Sequence, residues 1–120
     1  MIIDSSVWLE ILQKGPKYEK CHKSIDSATN VRVPSIVIFE LYKKIKKVSS
    51  EEDALDIVAM LSSHEVLDLN RDTALLAGDL VLEYKLAMAD SIMLAHARLL
   101  NDELVTLDND FRNIPGVRII

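Results

Sequence analysis

Cysteine is almost missing from this chain. The single one, Cys21, cannot form an intrachain disulfide, and His22 beside it does not complete the ligand set that a structural zinc needs. That usage fits a reducing cytoplasm. Glycine and proline number only three each, which leaves little room for long irregular loops. No uncharged apolar run approaches the roughly 18 residues of a membrane span, and the N-terminus carries Asp4 where a signal peptide would have a basic leader. Positive charge is also in deficit. Fourteen Lys and Arg stand against nineteen Asp and Glu, for a net charge of −5 and a pI near 5.1. This argues against a protein that grips nucleic acid through a broad basic surface. It leaves open an enzyme that meets nucleic acid through cations bound to carboxylates. Repeats, linkers and low-complexity segments are absent.

What is present is apolar and regular. At 120 residues and 49% hydrophobic, the chain suits one domain, residues 1–120, with a substantial core. Met1-Ile2-Ile3 is a short β-branched run that stops on Asp4, and Ser5-Ser6 then leads into an apolar helix from Val7, with either serine as its cap. Asp4 therefore reads in two ways. It helps cap that helix, or it stands at the carboxyl end of a central strand, where open α/β sheets bind ligands. Gly15-Pro16 breaks the chain, and residues 17–29 read as a helix with Tyr18, Cys21, Ile25 and Ala28 on one face.

Val31-Arg32-Val33 is a strand ended by Pro34, with Ser35 placed to cap a helix over residues 36–48. Glu40 lies within its apolar stretch. It either pairs with Lys43 or Lys44 at helical spacing or is a partly buried carboxylate that needs a partner or a metal. Lys43, Lys44, Lys46 and Lys47 form the one dense basic patch and read as a solvated helix end. Ser49-Ser50 followed by acids opens the next helix, and residues 65–69 alternate like a third strand. Asn70 or Asp72 caps a long helix to about Tyr84, with Ala74, Leu75, Ala77, Gly78, Val81 and Leu82 as its apolar stripe. Asp90 opens a strongly apolar helix as its N-cap or as something more, with Met88 and Met93 as core fillers and His96 partly buried. Leu104–Leu107 is a fourth strand that stops on Asp108, and residues 117–120 suit a final edge strand.

Each carboxylate has a bland explanation. Together, Asp4, Glu40, Asp90 and Asp108 can be carried to one edge of a parallel sheet. Carboxylates so gathered repel one another and raise each other's pKa unless a cation neutralises them, and hard oxygen donors select Mg²⁺ or Mn²⁺. Two-carboxylate alternatives fit less well. A haloacid-dehalogenase-like phosphatase needs an Asp where Ser6 stands, and a phosphoacceptor receiver needs an acidic pair after the first strand, where Asp4 is followed by serines.

At this point the sequence resembles the PIN-domain family, and within it the VapC-type toxin ribonucleases of toxin–antitoxin pairs. The resemblance lies in Ile2-Ile3-Asp4-Ser5-Ser6-Val7, Pro34-Ser35 with Glu40-Leu41, Ala89-Asp90-Ser91, and Thr106-Leu107-Asp108-Asn109-Asp110-Phe111, in that order. The segment Tyr84–Ala89 lacks a glycine often found there in relatives. The resemblance implies a three-layer α/β/α fold around a parallel sheet of four to five strands. It implies an endoribonuclease that hydrolyses RNA phosphodiesters with a metal-activated water, using Mg²⁺ or Mn²⁺. Asp4 and Asp90 would be the most direct ligands, with Glu40 and Asp108 completing the shell and Asp110 as an extra candidate. Ser6 and Thr106 would be polar supports. It also implies a homodimer and a cognate antitoxin whose basic residues enter the acidic site. The competing expectation is a non-catalytic PIN-like module whose acidic pocket only docks a basic peptide.

Overall fold

A computed structural model describes all 120 residues. The elements run β1 (Ile2–Ile3), α1 (Ser5–Leu12), α2 (Tyr18–Asp26), β2 (Arg32–Pro34), α3 (Ser35–Val48), α4 (Glu51–Ser62), β3 (Glu65–Leu67), α5 (Arg71–Tyr84), α6 (Met88–Leu99), β4 (Leu104–Thr106), a 3₁₀ turn (Asn109–Phe111) and β5 (Val117–Ile119). All five strands join one parallel sheet in the order β3-β2-β1-β4-β5, between helical layers in an α/β/α sandwich. No helix is long and apolar enough to cross a membrane.

The strands are short and their burial explains their composition. Ile2 and Ile3 in β1 and Leu104 and Val105 in β4 are shut off from solvent, as expected of central parallel strands covered on both faces. The order places the site. From β1 the chain steps outward through β2 to β3, then returns to lay β4 on the other flank of β1. The direction of winding therefore reverses between β1 and β4. Helices leave the sheet in opposite senses there, and a crevice opens at the carboxyl ends of the two strands.

Several local expectations change. α1 begins at Ser5, two residues before Val7, and neither Ser5 nor Ser6 caps it; their hydroxyls face carboxylates across the sheet edge. α2 is shorter than residues 17–29 and ends at Asp26. Ser35 is the first residue of α3, and Pro34, in extended conformation, holds the cap position. Asp90 does not cap α6. Ala87 takes that position, which sets Asp90 in the first turn with its carboxylate free for other contacts. Met93 is buried as expected, but Met88 is 70% exposed, because it opens the helix instead of facing the core. His96 is nearly fully buried. The caps of α4 and α5 form as read, with Ser50 accepting from the Asp53 N–H and Asn70 from the Thr73 N–H, each at 3.0 Å.

The candidate acidic site

A pocket of about 370 Å³ opens at the carboxyl edge of the sheet, at the β1/β4 reversal. Its wall includes Asp4, Glu40, Asp90 and Asp108 with Ser5, Ser6, Lys43 and Lys44. The four carboxylates arrive by four routes. Asp4 directly follows β1, and Asp108 lies two residues after β4. Glu40 projects from the second turn of α3, and Asp90 from the first turn of α6.

Asp4 is the most fixed of them, at 3% exposure. Its Oδ2 accepts from the Thr106 hydroxyl at 2.6 Å and from the Ser6 hydroxyl at 2.8 Å. Those hydroxyls are themselves oriented. The Asp108 N–H donates to Thr106 Oγ1 at 3.0 Å, and the Leu107 N–H donates to Ser6 Oγ at 3.1 Å. With a backbone donor already filling an acceptor site on each hydroxyl, the hydroxyl proton is turned toward Asp4. One carboxylate oxygen is thus clamped from behind by two relays, and Oδ1 is left toward the pocket. Ser5 Oγ lies 3.2 Å from that Oδ1 and 3.1 Å from Glu40 Oε1. A hydroxyl has a single proton, so Ser5 serves one of these carboxylates at a time.

Glu40 does not pair with Lys43 or Lys44. It turns inward to Ser5, and burial, with Asp4 nearby, raises its pKa against the lowering effect of the Ser5 bond and of Lys43. Asp90 is affected more strongly. Burial first, then the charges of Asp4, Asp108, Glu40 and Asp110, push it up to about 7. Asp108 Oδ1 accepts from the Asp110 N–H at 2.9 Å, which closes the 3₁₀ turn. Oxygens of Asp90, Asp108 and Asp110 lie within 4.8 Å of one another. Asp110 thereby joins the carboxylate group while lying exposed outside the pocket wall. Asp4 and Glu40 are outside that trio, yet the charges of both act on Asp90.

The two edges of the sheet contrast. At the amino edge, Arg32 of β2 pairs with Glu65 of β3 at 3.0 Å and with Asp102, just before β4, at 2.8 Å. At the carboxyl edge, no pocket carboxylate belongs to any ion pair of the chain. Charge there is gathered without an ion pair, and Lys43 and Lys44 are the only cations on the same wall. The donors are all oxygen, the set that hard divalent cations prefer, so the residues present fit such an ion.

Three polar residues of the pocket wall, Ser5, Lys43 and Lys44, are not among the site residues expected from the sequence. Ser5 reads there as a helix cap; its position next to Asp4 was the available signal. Lys43 and Lys44 read as part of a solvated helix end, although their i+3 and i+4 spacing from Glu40 sets them on its side of the helix.

Comparison with known proteins agrees with this arrangement. The PIN domain family pattern matches residues 1–117. No protein of curated function matches the chain. Among solved structures, a chain of a toxin–antitoxin complex from Klebsiella pneumoniae is 27% identical, with a TM-score of 0.83 over 98% of this chain and 94% of that one. A chain of the DNA-bound VapBC complex from Salmonella typhimurium is 23% identical, with a TM-score of 0.78 over 99% and 95%. VapC20 of Mycobacterium tuberculosis, described as a toxin that cleaves the sarcin–ricin loop, is 17% identical, with a TM-score of 0.82 over 98% and 97%. With the family pattern spanning nearly its whole length and the acidic pocket at the sheet reversal, the chain belongs to the PIN domain family.

Proposed function

We propose that this chain is a VapC-type toxin: a divalent-metal-dependent endoribonuclease that acts in the cytoplasm and is restrained by a cognate antitoxin. The observation that carries the reading is the set of carboxylates gathered without a compensating ion pair at the β1/β4 crevice, where Asp90 is driven to about 7. Folding tolerates such repulsion at a cost, and a bound cation removes it. In this reading Asp4 and Asp90 hold the ion most directly, Glu40 and Asp108 complete the shell, and Asp110 is an additional donor. When bound, Mg²⁺ or Mn²⁺ would supply Lewis acidity toward a phosphodiester and make water acidic enough to be a nucleophile near neutral pH. The protein's own part is positional. Thr106 and Ser6 fix Asp4 through backbone-oriented hydroxyls. Ser5 links Asp4 to Glu40. Without the ion, burial and the neighbouring carboxylates raise the pKa of Asp90 to about 7 and that of Glu40 above its usual range, so ion binding would release a proton from Asp90 near neutrality.

The antitoxin is supported by the 27%-identical Klebsiella chain, which comes from a toxin–antitoxin complex. An acidic pocket suits basic side chains of such a partner, and exposed apolar side chains on α5 suit a homodimer.

The test is cleavage of a pool of tRNA and ribosomal RNA by purified protein in Mg²⁺, in Mn²⁺ and in EDTA, beside Asp4→Asn and Asp90→Asn. Cutting should require metal and fall by at least about a hundredfold in both variants, since losing even a supporting residue costs 10–100-fold at such sites. Cutting that survives in both variants overturns the site assignment. A wild-type protein that cuts none of the pool yet binds a basic peptide at the pocket supports the non-catalytic module instead.

A further inference from the structure

Lys43 and Lys44 stand on the wall of the acidic pocket, one helical turn beyond Glu40 on α3. They are the only cationic side chains on that wall. Helical spacing offers both ammonium groups the Glu40 carboxylate. Neither takes it, and neither belongs to any ion pair of the chain. Lys43 Nζ sits 5.2 Å from the ring centroid of Phe39, and that ring is 56% exposed. The next lysine along the helix behaves differently: Lys46 is engaged by Glu51 at 3.1 Å and by the Tyr42 hydroxyl. The pocket therefore has two exposed cations at its rim that form no ion pair, beside carboxylates that repel phosphate unless a metal intervenes.

We propose that Lys43 and Lys44 bind the RNA phosphates adjoining the scissile one, and so set the path of the strand across the pocket. The assignment rests on the nuclease reading above. Contacts of this kind position a strand and carry no base information, so they act on any sequence alike. They also release counterions from the strand, which makes their share of the affinity depend on salt. The overall charge of −5 sharpens the role, because the rest of the surface gives the strand little attraction.

The test measures binding of a short fluorescein-labelled single-stranded RNA by anisotropy, with Ca²⁺ present, over a KCl series. Wild type is compared with Lys43→Gln, Lys44→Gln, the double Gln variant, the double Arg variant, and Lys47→Gln as an off-pocket control. Each Gln variant should lose about three- to tenfold in affinity, and the slope of log affinity against log salt should become shallower by about 0.7 per lysine removed. The double Arg variant should keep the wild-type affinity and slope, and Lys47→Gln should match wild type. A merely structural role for the lysines would leave the salt slope unchanged. The same proteins are assayed for cutting of the tRNA and ribosomal RNA pool. If wild type cuts and the double Gln variant binds with wild-type affinity and slope, the lysine assignment alone is overturned. If wild type does not cut, the nuclease reading falls and this assignment falls with it.

Discussion

At the scale of single residues, the site depends on where a few protons point. Thr106 has no solvent exposure and joins two partners, donating to Asp4 and accepting from the Asp108 N–H. Thr106→Val keeps the shape but removes both bonds, leaving a buried carboxylate oxygen and a backbone donor short of a partner. We expect a loss of about 1–3 kcal/mol in urea unfolding, together with a 10–100-fold drop in metal-dependent cleavage. Asp90 gives a prediction with the opposite sign for stability. Its carboxyl ionises near 3.8 in an unfolded chain and near 7 in the fold. Between those values the unfolded state has released a proton that the folded state retains, so folding stability falls as pH rises through that window. The full penalty is present above it. Because solvent reaches the group, we place the penalty at about 2 kcal/mol, below the roughly 4 that three pKa units represent. Asp90→Asn should therefore raise the melting temperature of the EDTA-treated protein by several degrees at about pH 8, with the gain vanishing at about pH 4, where the wild-type carboxyl stays protonated in the fold. Calorimetry at the two pH values checks this. A variant that is more stable and inactive fits a carboxylate kept for chemistry at the expense of folding.

At the scale of elements, much was legible because the local rules are strong. The acids after Ser50 and the Asn70 cap mark helix starts through the N–H groups they satisfy. Asn70 also accepts from the Thr73 hydroxyl at 3.1 Å. Asn70→Ala should cost about 1 kcal/mol and leave cleavage unchanged, since α5 contributes nothing to the pocket wall. Thermal unfolding beside a cleavage assay checks both. The rule failed where a capping residue type sits beside a carboxylate cluster. Ser5, Ser6 and Asp90 have the chemistry of caps, and in the fold their polar groups serve contacts from other elements. Those contacts span 35 residues from Ser5 to Glu40 and 100 from Ser6 to Thr106, and no local pattern contains them. The apolar stripe of α5 failed in another way. Ala77 enters the core, as does Leu80, which the expected stripe left out, whereas Leu75 and Leu82 do not, because helical periodicity marks an apolar face without saying what covers it.

At the scale of the whole molecule, that uncovered face has a measurable consequence. Leu75 and Leu82 are two turns apart on α5, with Leu82 at 82% exposure, and Met88 begins the helix that follows. Light scattering should find the wild-type protein at twice the mass of one chain. Leu82→Glu should shift it toward the single-chain mass without loss of secondary structure by circular dichroism. The sheet order has a different kind of consequence, one of timing. The strand at the middle of the sheet comes from the first residues of the chain, and the partner that completes the crevice comes from residues 104–106. The bond between Thr106 and Asp4 closes a separation of 102 residues. Synthesis from the N-terminus therefore produces Asp4 and Glu40 well before the strand that binds Asp4 from behind, and Asp90 shortly before it. A ribosome stalled before Leu104 releases a polypeptide with three of the acids and no crevice to hold them. The crevice is therefore assembled only after residues 104–108 have been made, through the order of strands alone.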